Sequence, residues 1–259
     1  MNISGFIIAK NEASRITQAI NSIKNIVTEI IVVDSGSTDD TVQIASNLGA
    51  KVVYNEWPGY VKQKALGESL CQNDWVINID GDEELSKELQ NEISFIFQSE
   101  THDKYLAYKI NFVILHRNDT KPRFWAPANK FIRLYNRKIC SYAHTKTTTH
   151  DAVIFNENVD SKNKIYDLNS LAYHRSGTSI EQLVNKANFY STEQAKDLII
   201  LGRKFSKIRI ASEIILWFFK AFFIRRYFVF GFDGFVDSII FAFARFIRLA
   251  KARELEKKN

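Results

Sequence analysis

Cysteine is scarce in this chain. Only Cys71 and Cys140 occur among 259 residues, which excludes a disulfide framework. Neither has a partner at metal-ligand spacing, so a thiolate zinc site is also excluded and a reducing compartment is favoured. Three prolines and ten glycines are too few for a fibrous repeat or a disordered chain. Long apolar runs are missing as well. No stretch reaches the roughly 18 consecutive apolar residues of a spanning helix, and the greasiest piece, 214–224, is broken by Lys220. A spanning helix is therefore not expected. MNISGFIIAKNEASR carries no basic leader followed by a long apolar stretch, so no signal peptide is expected. Two nucleotide signatures are absent too: no G-x-G-x-x-G follows the first apolar run, and no G-x-x-x-x-G-K-[ST] occurs. An ordinary dinucleotide fold and a P-loop are thereby set aside.

What is present is enough for a large domain, since 46% of the residues are hydrophobic. The net charge of +6 is unevenly placed: residues 199–259 carry +8 and 12 of the 20 phenylalanines, and the rest of the chain carries −2. The first hundred residues alternate strand and helix signals. Strands are expected at 3–9, 29–34, 51–54 and 75–80, separated by helical periods through Ile16–Ile23, Val42–Leu48 and Val61–Leu70, with a polar helix from Ser86. Ser37 and Asp40 stand at capping-box spacing before the second helix. This βαβαβαβ order implies a mostly parallel sheet flanked by helices, with ligands bound beyond the carboxyl ends of its strands. Longer strands are expected in YLAYKINFVIL and NKFIRLYN, and helical periodicity resumes from Ser179 to Leu201.

Three polar clusters fall at strand ends: Lys10-Asn11-Glu12, Asp34-Ser35-Gly36-Ser37, and Asp80-Gly81-Asp82-Glu83. Carboxylates so close resist joint ionisation unless positive charge sits among them. Mg²⁺ and Mn²⁺ take one or two protein carboxylates plus phosphate oxygens and water, which suits Asp80-Gly81-Asp82. A solvated acidic turn is the plain alternative, and position at the fourth strand end favours the metal–diphosphate reading. Asp34 either caps the following helix or accepts a hydrogen bond from a base N–H.

IIAKNEASRI, IIVVDSGSTDDT and WVINIDGDEEL, in that order and spacing, resemble the inverting GT-A glycosyltransferases of family two over about the first hundred residues. NKFIRLYNRK, TTHDAV, YHRSGTSIEQLVNKANFYS and FFKAFFIRRYFVFGFDGF are similar to bacterial lipopolysaccharide-core glycosyltransferases, many of them glucosyltransferases. The resemblance implies an α/β GT-A fold: a catalytic domain over 1–200, with a nucleotide-sugar half (1–100) and an acceptor half (101–200), and a basic, aromatic helical tail over 201–259. It implies that Asp34 reads uracil, that Lys10, Asn11 and Glu12 line the nucleotide pocket, that Asp80 faces the ribose, and that Asp82 binds Mg²⁺ or Mn²⁺. Lys64 is either a phosphate contact or part of a solvated helix face. Relatives carry a His-Glu pair where this chain has His150-Asp151, which makes Asp151 the implied general base, with Asp119 as a rival.

His144, His150 and His174 fit no zinc spacing and read as polar loop residues or as histidines of the acceptor cleft. Arg123, Phe124 and Trp125 suit a sugar-binding loop or a packed aromatic pair. The tail, with Lys220, Arg225, Arg226, Arg245 and Arg248 among apolar residues, reads as a membrane-interface segment or as helices packed on the catalytic domain. Nucleic acid ranks below both. The activity so implied moves a hexose, glucose in the first instance, from a UDP-sugar to a lipid-linked saccharide. It would act in the cytoplasm at the inner face of the bacterial membrane. A sugar nucleotidyltransferase and a non-catalytic membrane-surface binding protein are the alternatives.

Overall fold

Ile3–Ala9 (β1) is buried along its whole length, because parallel strands flank it and helices cover both its faces. The computed structural model describes residues 2–142, 152–157, 159–160, 164–175 and 177–258. After β1 come α1 (Ile16–Ile23), β2 (Glu29–Asp34), α2 (Thr41–Asn47), β3 (Lys51–Tyr54), α3 (Tyr60–Leu70), β4 (Trp75–Asp80), β5 (Glu83–Leu85) and α4 (Lys87–Gln98). Then follow β6 (Ala107–Ile114), β7 (Ala128–Asn136), β8 (Cys140–Tyr142), β9 (Val153–Phe155) and β10 (Ile165–His174). Three helices close the chain: α5 (Ile180–Ile200), α6 (Lys207–Phe219) and α7 (Gly231–Lys258). The strands and helices expected in the first hundred residues are all present. The short β5, hidden in the acidic run, is an addition.

The main sheet runs β3-β2-β1-β4-β7-β6-β10-β5, with β8 and β9 in a separate pair. Its first four strands are parallel, whereas β7 is antiparallel to both β4 and β6, and β5 to β10. The period-two alternation of β1 sends Ile3 and Ile7 to one core and Phe6 and Ile8 to the other. On the first face they meet Ile16, Ile20 and Ile23 of α1; on the second, Val61 of α3. Gly67 lets α3 close on β1, since a Cβ there would lie 2.6 Å from the Phe6 ring. The register pairs Ala9 with Asp34 and Ile8 with Asp80. Asp34 and Asp80 thus flank the end of β1 from opposite sides, about 10 Å apart by strand spacing.

Helix starts follow local chemistry. Ser86, Ser179 and Ser206 each accept a backbone N–H of the first turn of α4, α5 and α6. The capping box expected before α2 does not form. Ser37 Oγ instead donates to Asp34, and Asp39 Oδ1 accepts from the N–H and hydroxyl of Thr41.

The described residues group into two compact units, one drawn from residues 2–113, 128–142 and 152–174, the other from 114–127 and 175–258. This division differs from the sequence expectation of a break near residue 200. Helix α5 groups with the tail because it packs along α7, where Lys251 Nζ donates to Asn188 O, Ser191 Oγ and Thr192 Oγ1, each at 2.8 Å. Within the same unit Glu213, wholly buried, holds Arg209 (2.8 Å), Arg248 (3.3 Å) and Trp217 Nε1 (2.7 Å). Tyr227–Lys257 includes an 18-residue window of mean hydropathy 1.5, of which 22% is buried. By length and composition this helix is apolar enough to cross a bilayer, although no uninterrupted apolar run of that length exists in the sequence.

Candidate active site

The first two strand-end clusters are laced together. Asn11 N–H donates to Ser37 Oγ (2.8 Å), Thr38 N–H to Asn11 Oδ1 (2.8 Å), Glu12 N–H to Thr41 Oγ1 (2.7 Å) and Ala13 N–H to Asp39 Oδ2 (3.1 Å). Asn11 holds a left-handed backbone at φ 56°, a conformation that asparagine tolerates better than most residues. Lys10 is exposed and Glu12 is buried against Arg15, whose Nε stands 2.7 Å from Glu12 Oε2. Asp34, 3% exposed, holds its own turn: Oδ2 accepts from the N–H of Gly36 and of Ser37, each at 2.9 Å, and Oδ1 from Ser37 Oγ. It does not cap α2.

The third cluster joins the first through Gly81, whose N–H donates to Ile8 O at 3.1 Å. A Cβ there would come within 2.9 Å of Glu12 Cγ, so a larger residue would push the Glu12 side chain from its place. Asp82 Oδ2 stands 3.9 Å from Arg15 Nη1 and 3.5 Å from His174 Nε2. Asp80 is gripped from two sides. Lys64 Nζ lies 3.0 Å from its Oδ1, and Arg133 Nη2 lies 3.1 Å from its Oδ2. Lys64 is therefore buried in the site and does not lie on a solvated helix face.

The charges settle accordingly. Burial works against the charged form of Asp80, but Arg133 and Lys64 outweigh it and hold the carboxyl below the ordinary range. Burial pushes Glu83 up to about 7, with Arg133 pulling down and Asp80 pushing up. Burial favours the neutral imidazole of His174, yet Asp82, Glu83 and Asp80 together hold its pKa above the usual value. Carboxylates that would repel one another are compensated here by Lys64, Arg133, Arg15 and His174.

Arg133 and Arg15 escape the sequence reading, which names His174 only as a polar loop residue or a histidine of the acceptor cleft. Arg133, 6% exposed, also reaches Asn78 Oδ1 (2.6 Å) and Glu83 Oε1 (2.9 Å). Its one sequence signal is a charge set between Ile132 and Leu134 in an apolar strand, which demands a buried partner. Arg15 and His174 carry no such signal. His174 ends a ten-residue strand, β10, and is not a loop residue. Asp151, His144 and His150 lie outside the described residues. Asp119 is engaged by Arg123 at 2.8 and 3.1 Å. Phe124 and Trp125 are 86% and 61% exposed and stack on each other at 5.6 Å, so they are not packed core aromatics. Trp125 has φ 66°.

Among the described residues no three His, Cys, Asp or Glu side chains form a metal cage. Mg²⁺ or Mn²⁺ bound with a diphosphate needs only one or two protein ligands. Asp82 Oδ2 fits that need, and His174 Nε2, 3.5 Å away, would join it once the imidazole gives up its proton under the incoming cation's charge.

Parallel strands with a charged, glycine-hinged carboxyl end, continued by antiparallel strands, make this a GT-A type α/β fold. The model of the family described as glycosyl transferase family 2 matches residues 4–149. An uncharacterized glycosyltransferase of Rickettsia bellii is 69% identical over 98% of this chain and 86% of its own length. The lipopolysaccharide core biosynthesis glycosyltransferase LpsC of Rhizobium meliloti is 26% identical over 96% of this chain and 91% of its own. Among solved structures, glucosyl-3-phosphoglycerate synthase of Mycobacterium tuberculosis, in complex with Mn²⁺, UDP and glucosyl-3-phosphoglycerate, is 19% identical. That match covers 79% of this chain and 81% of the other at a TM-score of 0.47. The chain belongs to glycosyl transferase family 2. It is a glycosyltransferase, and the nucleotidyltransferase and non-catalytic readings give way to that.

Proposed function

We propose that this glycosyltransferase moves a hexose, glucose in the first instance, from a UDP-sugar to a lipid-linked saccharide such as a lipopolysaccharide core. Transfer would invert the sugar carbon, with Mg²⁺ or Mn²⁺ held by Asp82 together with His174. The observation that carries this reading is the gathering of Asp80, Asp82, Lys64, Arg133 and Arg15 at the carboxyl end of β4, against the loop after β1. A strand end of this kind in a parallel sheet is where nucleotides bind. Here it holds carboxylates for a cation and a ribose, and basic groups beside them for phosphate.

In this reading Asp34, Lys10, Asn11 and Glu12 border the uridine, Asp80 faces the ribose, and Lys64 and Arg133 keep Asp80 ionised and oriented. Inverting transfer is one displacement. The acceptor oxygen bonds to the anomeric carbon as the bond from that carbon to UDP breaks, and the hydroxyl proton passes to a carboxylate base, Asp151. The cation, when bound, neutralises charge on the departing diphosphate. The exposed stacked pair Phe124 and Trp125 suits the apolar face of an acceptor sugar.

The lipid-linked acceptor is supported by the name of the Rhizobium meliloti relative and by the helical unit. There Phe223, Ile224 and Phe232 are each more than half exposed, on a stretch that also carries Lys220, Arg225 and Arg226. Apolar side chains among basic ones suit the interface of an anionic bilayer, at the inner face of the cytoplasmic membrane.

Calorimetry with UDP, with and without Mn²⁺, tests the donor site. Binding that requires the metal and disappears in Asp82→Ala, with an unchanged melting curve, is the expected result. UDP binding indifferent to both metal and Asp82 would refute the assignment.

A further inference from the structure

The helical unit forms a pocket of about 240 Å³, partly open to solvent, between residues 114–117, α5 and α7. An apolar cavity of only about 150 Å³ already admits benzene. Its apolar walls include Leu183, Ala187, Ile240 and Ala244. Ala187 on α5 and Ala244 on α7 are small where larger side chains would fill the space. A concave pocket with apolar walls and a few charged groups is the usual form of a small-ligand site.

The polar groups of the lining say what kind. His116 is 3% exposed, and its Nε2 makes no hydrogen bond. The other ring nitrogen, Nδ1, accepts the Asn118 N–H at 3.5 Å, which leaves the proton on Nε2 as an available donor. Asp237 Oδ2 stands 3.5 Å from Nε2, but that carboxylate is held by Arg117 Nη1, at 2.8 and 3.0 Å from its two oxygens. Arg245 also lines the cavity. Its guanidinium lies over the rings of Trp217 (4.6 Å) and Phe241 (5.2 Å). Among the described residues no carboxylate pairs with it, because Glu213 is taken by Arg209 and Arg248. Burial, with Arg248 and Arg225 nearby, lowers Arg245 to about 10 despite the opposing pull of Glu213.

We propose that this cavity binds a single alkyl chain carrying an anionic head, with the chain against Leu183, Ala187, Ile240 and Ala244 and the anion at Arg245 and His116 Nε2–H. An alkyl phosphate has that chemistry, whether it comes from a membrane phospholipid or from a lipid-linked saccharide. Binding there needs nothing from the UDP and metal site, so the two readings fail separately.

The test uses the full chain and dodecyl phosphate below its micelle concentration, followed by calorimetry and by thermal melting. One molecule should bind per chain and raise the melting temperature, and neutral dodecyl maltoside and inorganic phosphate should each bind at least tenfold more weakly. Arg245→Gln should erase the preference for the charged head, and Ala244→Phe should weaken both alkyl ligands at least tenfold. If Ala244→Phe fails to fold, the Arg245→Gln comparison decides alone. Wild-type chain that ignores dodecyl phosphate, or an Arg245→Gln variant that keeps the full preference, would overturn the proposal. Native mass spectrometry of chain purified from bacterial cells then separates the sources, a phospholipid mass marking the bilayer and a saccharide-bearing mass the acceptor.

Discussion

Arg133 donates to Glu83 at 2.9 Å across fifty residues of sequence, and both side chains are more than nine-tenths buried. Removing one partner of such a pair leaves the other charge buried and uncompensated. Arg133→Met should therefore cost about 3–5 kcal/mol of stability, read as a fall in the urea midpoint at unchanged slope. A loss below 1 kcal/mol would show that the contact contributes nothing net.

Asp151 is proposed as the base, a role that acts on the bond-making step and not on donor capture. Asp151→Asn should lower kcat by about a hundredfold or more and leave the affinity for UDP-sugar within twofold, by steady-state kinetics and calorimetry. A collapse of donor affinity with kcat intact would move the residue to the nucleotide site.

Asp39 ties the loop after β1 to the start of α2. Burial is the largest single influence and opposes its charge, but the hydrogen bonds from Thr41 and Ala13 together outweigh it and hold the carboxyl below the ordinary value. A depressed carboxylate contributes stability that is complete above the unfolded pKa, about 3.9, and that is lost as pH falls through the folded one. The stability gap between wild type and Asp39→Asn should thus be constant from pH 7 to 5 and should close below pH 4. A gap that widens on acidification would contradict the sign.

Both thiols are buried, and burial is the first cause that pushes Cys71 and Cys140 up to about 12. Almost no thiolate then exists at pH 8, and the thiolate is the reactive form. Ellman's reagent should label neither cysteine in the folded chain and both in urea. Stoichiometric labelling within seconds under native conditions would contradict the burial.

Phe223 and Ile224 lie exposed beside Arg225. Phe223→Glu with Ile224→Glu should cut sedimentation with phosphatidylglycerol vesicles at least tenfold, while UDP binding persists. Equal sedimentation of variant and wild type would remove the membrane from the proposed function.

The sequence alone was enough for the βα order of the first hundred residues. The unbroken β-branched run of IIVVD and the period of three to four in Ile16, Ile20 and Ile23 are local properties, and local pattern decides secondary structure before any distant contact forms. The carboxylates at strand ends were legible for the same reason, since Asp34 and Asp80 are each the last residue of an apolar run. What compensates them was not legible. Lys64, Arg133 and His174 come from α3, β7 and β10, and they meet Asp80 and Asp82 only once β7 has paired beside β4 and β10 has joined β5. Asp34 likewise showed its hydrogen bonds to Gly36 and Ser37 only in three dimensions. So did the grouping of α5 with α7 and not with the strands. Coulombic and packing partners are chosen by distance in space, and the chain order of a sheet with crossovers does not encode that distance.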